Sequence, residues 1–280
     1  MRAEPRLSIC EFTTMGASFD EDLAAYRAAG VAGIGVCEFK ILGDEEAPAR
    51  LRDSGLSATH CIPAVPSILP LPSMPGPDDP AERVEALCAS VRRLAELDPD
   101  CIVFLTGPGS DRRRLVLEAL GEIAAVAERA GVRVALEPIH PSQADELSFV
   151  HTIGDAVSLL AEAGAPSVGI LVDTWHVWDS PGRDEEIRTH AGRILGVHVG
   201  DRREPTRSGF DRVLPGDGVI DLGPLLRTLD EAGYEGWHDI EIFSDDGTFG
   251  EQFPDSLWAL EPEELVRRAR DSFLRVWALR

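Results

Sequence analysis

Four short apolar runs in the second half of the chain stop at, or carry, a side chain that can bind a metal or move a proton. Val134-Ala135-Leu136 runs into Glu137, Ile170-Leu171-Val172 into Asp173 and Leu195-Gly196-Val197 into His198, while Asp239-Ile240-Glu241-Ile242 carries Glu241. Taken singly, a strand-end Asp or Glu is more often a helix cap or loop anchor, and a strand His is more often a hydrogen-bonded core residue. Four on consecutive strands need a common cause. If the strand ends converge, three carboxylates and an imidazole surround one point. Such carboxylates repel one another, and some stay protonated unless a cation joins them. Three oxygen donors and one nitrogen favour a hard or borderline octahedral ion over a structural zinc, which prefers Cys and His. Mn²⁺ leads, with Mg²⁺ or Co²⁺ beside it. Four protein ligands leave two octahedral positions, enough for two adjacent oxygens of a sugar.

Eight apolar or β-branched runs must position these groups. They cover residues 6–10, 32–38, 58–62, 101–106, 132–137, 168–173, 194–199 and 238–243. Helical patterns separate them over residues 18–29, 79–97, 113–130, 153–163, 184–191, 222–232 and 262–279, with a shorter stretch before residue 58. Ser18 can cap the first, Pro80 suits a first helical turn, and Gly30, Gly131 and Gly233 act as stops. Near-continuous apolar strands alternating with helices predict a parallel sheet covered by helices. Eight such units predict an α/β fold, a (β/α)8 TIM barrel, as a single domain over residues 1–280. No G-x-G-x-x-G or Walker loop follows an early strand, which weakens nucleotide-binding alternatives. Three long connections follow strands, over residues 63–80, 201–217 and 244–261, and so rise at the C-terminal face, where barrel active sites lie. The first holds seven prolines with Ile68, Leu69, Leu71 and Met74 between them. The second is rich in Arg, and the third carries Phe249, Phe253, Leu257 and Trp258. Apolar residues on loops predict lids or a subunit interface, against the plainer reading of variable surface loops.

Composition removes several classes of function. With 27 basic and 49 acidic residues, the chain has a formal net charge of −22. That surface repels phosphate backbones and anionic membranes, so no nucleic acid and no membrane are expected as partners. No apolar run reaches the ~20 residues that span a bilayer. The stretch from Met1 to Pro5 leads into no signal-like segment. Cys10, Cys37, Cys61, Cys88 and Cys101 are scattered, which predicts reduced core thiols of a cytoplasmic protein. Lys40 is the only lysine. Schiff-base chemistry would rest on it alone, and an ion-paired lysine is the simpler expectation.

The chain resembles the xylose isomerase-like barrel superfamily of sugar isomerases and epimerases. The likeness lies in Leu-Glu-Pro around Glu137, Asp-Thr-Trp-His from Asp173 to His176, and Gly-Val-His-Val-Gly-Asp from Gly196 to Asp201. It continues in Arg-x-x-Pro-Gly-Asp-Gly from Arg212 to Gly218 and Glu-Ile at Glu241. It implies one divalent metal held by Glu137, Asp173, His198 and Glu241, with substrate contacts from His176 and Arg212. It also implies acid/base work by Glu137 and Glu241 on opposite faces of a keto sugar, through an enediolate. Three further residues are candidates. His140, at Glu-x-x-His, is a third acid/base or a loop anchor; His60 is a pocket or a core residue; Trp175 is a sugar-stacking or a packing residue. The expanded stretch before Arg212 leaves Arg203 as an alternative substrate contact.

The same enolate can expel a β-leaving group. Glu-x-x-His, the Arg-rich loop and Phe253 to Trp258 also resemble catalytic subunits of C-glycoside-deglycosylating enzymes, which act on 3-oxo-glycosides beside a smaller partner; inosose dehydratases are a further relative. The expected partners are therefore a small-molecule sugar, keto sugar or glycoside, and a homo-oligomer or a smaller subunit. A non-catalytic sugar-binding barrel is the competing class and predicts no bound metal. The superfamily's endonuclease branch, with three zinc ions, extra histidines and a grip on DNA, is opposed by the charge and by a total of seven histidines.

Overall fold

The strand runs close into a ring of parallel strands with helices outside, in a computed structural model that describes residues 4–280. Met1, Arg2 and Ala3, part of the stretch read for a signal, lie outside those residues. The first half runs β1 (Arg6–Cys10), α1 (Phe19–Ala28), β2 (Gly33–Gly35), α2 (Ala47–Ser54), β3 (Ser57–Ala58), β4 (His60–Cys61), α3 (Pro80–Leu94), β5 (Cys101–Phe104), α4 (Arg113–Ala130) and β6 (Val134–Leu136). The second half runs α5 (Ile153–Glu162), β7 (Gly169–Asp173), α6 (Thr174–Val177), α7 (Arg183–His190), β8 (Ile194–Val199), β9 (Asp201–Arg202), β10 (Arg212–Val213), α8 (Leu222–Glu231), β11 (Trp237–Ile240) and α9 (Pro262–Leu279). The sheet order is β3-β2-β1-β11-β8-β7-β6-β5-β4.

The two ends of that order are pieces of one run, predicted as a single strand over residues 58–62. Thr59 joins them: its N–H donates to the Ile34 carbonyl on one side, and its carbonyl accepts from Cys101 N–H on the other. The run bonds to both neighbours along its length, Ala58 accepting from Asp100 N–H on one side and Ile62 donating to the Val36 carbonyl on the other, so the ring closes as an eight-stranded barrel. The irregularity between β3 and β4 lets two consecutive residues, Thr59 and His60, both reach the interior, where Thr59 Oγ1 and His60 Nδ1 approach the same Asp239 carboxylate.

Local signals set the helices. Ser18 and Glu21 form a reciprocal capping box at α1, Asp79 caps α3 from its side chain, and Thr152 caps α5. Gly131 ends α4 with φ of 71°, a left-handed conformation that costs glycine little. The apolar faces of these helices form a continuous core with the outward strand faces, including Ile9, Ile34, Ile102, Phe104 and Ile170. Within the ring, Cys101, Val103, Ala135 and Leu171 pack together as a separate apolar cluster.

Much of the apolar content of the long connections folds onto their own barrel. Ile68, Leu69, Leu71 and Trp258 are buried within the chain, so these side chains need no second subunit to cover them. Ile68 and Leu69 donate their N–H groups to the carbonyls of Leu105 and Thr106, laying the proline-rich segment beside the end of β5. In the second connection β9 and β10 pair as a short antiparallel ribbon. Its Arg207 bridges Asp211 and Asp255, tying it to the third connection, and Phe210 stacks on Phe249 with centroids 4.4 Å apart. All five cysteines are buried and free. No helix among the described residues is long and apolar enough to cross a membrane.

Candidate metal centre and cavity

Barrel closure brings the four strand-end groups to one place. Glu137 follows β6 and Glu241 follows β11; Asp173 ends β7 and stands in register with His198 on β8. One donor atom from each of the four lies within 4.8 Å of all the others. His198 Nδ1 is 3.5 Å from Glu241 Oε1 and 3.9 Å from Glu137 Oε1. Arg212 Nη1 donates to Asp173 Oδ2 at 2.8 Å and to Glu241 Oε2 at 3.0 Å. The other Asp173 oxygen accepts from Trp175 N–H at 2.8 Å, so this carboxylate also starts α6. All five residues are buried.

Hydrogen-bonding capacity is left over at the centre. Glu137 Oε1 and both ring nitrogens of His198 have no hydrogen-bond partner, although buried polar atoms nearly always have one. Charge also fails to balance from within. Three carboxylates face one permanent cation, Arg212, and a divalent ion beside a neutral His198 brings the sum to zero. Without that ion, protons take its place. Burial, only partly offset by His198, pushes the Glu137 carboxyl well above the usual carboxylate range. For His198 burial works against protonation, but the Glu241 and Glu137 carboxylates outweigh it and raise the imidazole to about 10. Burial would raise Glu241, yet His198 and Arg212 hold it down to about 2. Donor types, spacing, orphaned atoms and charge thus fit a divalent cation.

A cavity opens onto Glu137, His176, Arg212 and Glu241. Beyond them its wall is largely apolar, including Phe12, Phe210, Phe243, Met74, Leu105 and Leu147. About 60 Å³ is open to the centres of water molecules, room for a few waters. His176 accepts the His140 N–H at Nδ1, at 3.2 Å, and places Nε2 3.4 Å from Arg212 Nη2. Burial and the Arg212 charge push its pKa well below the ordinary histidine value, so the ring is neutral.

Other candidates lie elsewhere. The His140 ring turns to Asp179, with Nε2 3.2 Å from Oδ1, and to Ser142; its backbone, not its ring, supports the site. Trp175 is 1% exposed and is off the cavity wall, edge-on to His140 and His176 with the Arg202 and Arg212 guanidinium groups over its ring. His60 is wholly buried inside the barrel, beside His198 and Asp239. Between the two arginines, Arg212 lines the cavity, while Arg203 pairs outward with Asp211 and Asp255. Lys40 is ion-paired, with Nζ 2.6 Å from Asp22 Oδ2 and bonded to the Thr14 carbonyl.

Gln143 on the cavity wall escaped sequence reasoning. Gly209 makes room for it, since a Cβ there would sit 1.9 Å from Gln143 Nε2. The only signal was a glycine inside the expanded loop.

Similarity to known proteins agrees with this architecture. The chain is 29% identical over 173 residues to an inosose isomerase of Halalkalibacterium halodurans, covering 60% of this chain and 56% of that one. It is 29% identical over 156 residues to an inosose dehydratase of Erwinia tasmaniensis, covering 47% and 48%. The chain spans about half the length of the curated relatives it matches. A solved protein of Sinorhizobium meliloti superposes with a TM-score of 0.84 at 28% identity, over 96% of this chain and 98% of that one. The pattern of the xylose isomerase-like TIM barrel matches residues 12–276, and the chain belongs to that family.

Proposed function

We propose that this protein is a divalent-metal-dependent sugar isomerase or epimerase that moves the proton on the carbon beside a carbonyl. The buried group of Glu137, Asp173, His198 and Glu241, with its unpartnered donors at the end of a cavity, carries this reading. Those four residues would hold the metal, Mn²⁺ by donor set, with Mg²⁺ or Co²⁺ as substitutes. Bound there, the ion supplies Lewis-acid polarisation of the substrate carbonyl. Glu241, anchored by Arg212, takes the α-proton from one side. Glu137, reaching the cavity from a different strand, returns a proton to the opposite face for epimerisation or to the neighbouring carbon for isomerisation. Arg212 and neutral His176 orient substrate oxygens, and His140 holds His176 through its backbone. Loops bearing Met74 and Phe210 part to admit a sugar and then exclude water. Five buried free thiols suit a reducing, cytoplasmic setting.

The test is metal analysis of the purified protein, followed by α-proton exchange in D2O with D-fructose and with a keto-inositol. One equivalent of divalent ion, exchange lost to a chelator and exchange restored by Mn²⁺ are expected. A metal-free protein with unchanged stability would favour a non-catalytic barrel.

The apolar wall favours a second reading, a lyase. A polyol in that cavity leaves hydroxyls unpaired at about 1–3 kcal/mol each, whereas a 3-oxo-glycoside with an apolar leaving group places carbon against Phe12, Phe210 and Phe243. One of the relatives is named a dehydratase, which is consistent with elimination. Product analysis with a keto sugar and with a phenyl 3-oxo-glucoside separates the readings, and co-purification of a smaller chain would support the lyase.

A further inference from the structure

Beneath the four candidate metal ligands, the two sides of the barrel interior differ. One side is the apolar cluster of Cys101, Val103, Ala135 and Leu171. The other is polar: Ser8, Thr59, His60 and Asp239 are each wholly buried around His198. Strand alternation explains the layering. Asp239 precedes Glu241 by two residues on the same strand run, so both face inward, one layer apart. Asp239 is in register with Ser8 on β1 and with His198 on β8.

This layer is built into the backbone. A Cβ on Gly35 would lie 2.2 Å from Asp239 Oδ2, one on Gly196 would lie 2.5 Å from His60 Nε2, and one on Gly33 would lie 2.6 Å from Thr59 Cγ2. Three glycines, two on β2 and one on β8, leave the space these polar side chains fill. Thr59 Oγ1 donates to Asp239 Oδ2 at 3.1 Å, and His60 Nδ1 is 3.7 Å from the same oxygen. Asp239 Oδ1, both His60 nitrogens and His198 Nε2 remain unpartnered. Donor atoms of His60, His198 and Asp239 all lie within 4.8 Å of one another, a gap that a small ring rotation or one bridging water closes.

His198 turns Nδ1 toward Glu137 and Glu241, which leaves Nε2 for another partner. A histidine binds metal through its unprotonated nitrogen, and the opposite nitrogen then carries a hydrogen that needs an acceptor, most often a carboxylate or carbonyl. We propose that Asp239 and His60 are positioning residues for the metal centre: their acceptors take the His198 Nε2 hydrogen, directly or through one water, and so fix the ring and the tautomer that presents Nδ1 to the ion. This rests on the metal-centre reading above. It adds two residues that touch neither substrate nor ion.

The test is divalent-metal affinity, measured by calorimetric titration of Mn²⁺ into the stripped full-length protein, with the visible absorption of the Co²⁺ form as a second readout. Asp239→Asn keeps the volume and loses one acceptor. It should weaken Mn²⁺ binding by about 10–100-fold and alter the Co²⁺ spectrum, while the thermal midpoint of the metal-free protein stays within a few degrees of wild type. Thr59→Val, which frees Asp239 Oδ2 without touching the carboxylate, should weaken binding severalfold and carries the test if the first variant does not fold. Wild-type Mn²⁺ affinity and an unchanged Co²⁺ spectrum in the folded variants would overturn the proposal. So would a second equivalent of metal that disappears in Asp239→Asn, because Asp239 would then be a ligand. If wild type itself binds no divalent ion, the metal-centre reading fails, an outcome distinct from a wild type and variants that bind equally well.

Discussion

Two clusters of buried carboxylates sit at the same end of the barrel and resolve their charge differently. Glu11 follows β1 and packs with Asp22 of α1, both wholly buried. Lys40 contacts Asp22 at 2.6 Å, and Glu11 Oε2 accepts the Cys37 N–H at 2.8 Å. Burial pushes Glu11 well above the usual carboxylate range, against the pull of Lys40, and raises Asp22 as well. One lysine stands against two acids here. Glu137, Asp173 and Glu241 have Arg212 alone as a permanent cation, and His198 remains without a hydrogen-bond partner beside them. The first cluster stands off the cavity wall, although Glu11 Oε1 and Asp22 Oδ1 also lack a hydrogen-bond partner. The second sets three acids against one permanent cation and faces a cavity, so a guest can reach it; excess permanent charge together with access, and not orphaned atoms alone, tells a binding cluster from a structural one.

The comparison breaks most sharply at Glu241. Glu241→Gln should lower α-proton exchange on the order of 10⁴-fold, whereas Glu11→Gln should leave exchange within a few fold. Equal losses, followed by NMR in D2O, would erase the distinction between the clusters.

Lys40→Met tests the opposite pole. It strands Asp22 without its cation and should destabilise the protein by about 3–5 kcal/mol in urea unfolding, with Mn²⁺ affinity unchanged. A variant that loses metal and keeps its stability would exchange the roles of the two clusters.

Metal removal separates them again. At 100 times its dissociation constant, Mn²⁺ should add about 2.7 kcal/mol to unfolding stability. The same increment is expected in Lys40→Met, because sites without shared partners add. An increment that vanishes in Lys40→Met would show the clusters to be coupled.

The smallest effect is a control on the outer face of the strand that leads to Glu241. His238 packs among Tyr234, Phe273 and Trp277, and burial pushes it down to about 3. The unfolded chain binds this proton below about pH 6.5, and the native state refuses it until about pH 3. Stability is therefore full above pH 6.5 and falls as pH drops toward 3. Between pH 6.5 and 5 the loss from this residue should be about 2 kcal/mol, and His238→Phe should remove that part of the slope. An unchanged slope would place the acid sensitivity in the two carboxylate clusters instead.

Much of this was legible in the residues. Strand-end chemistry at Glu137, Asp173, His198 and Glu241 could be seen because apolar runs point at it, and α4 and α9 occupy the spans their periodicity predicts. Other parts could not be read. His60 and Thr59 both face inward because the strand is irregular between β3 and β4, and no period of two encodes such a step. Trp175 and the His140 ring carry chemistry suited to a sugar site, yet they stand off the cavity wall because α6 and Asp179 take them away from it. Gln143 reaches the wall only because a glycine some 60 residues later yields the space.

By itself, the sequence determined alternation, element type and the donor set, since these depend on side-chain chemistry and on neighbours two to four residues apart. Tertiary structure decided which polar side chains meet. Asp211 and Arg212 are adjacent in the chain and both buried, but the first neutralises the outer Arg203 and Arg207 while the second reaches the centre. Asp239 and Glu241 share one face of one strand, and only ring closure set one as the floor and the other as the rim. Local geometry fixes the face a side chain takes; its depth and its company depend on how strands far apart in sequence are brought into register.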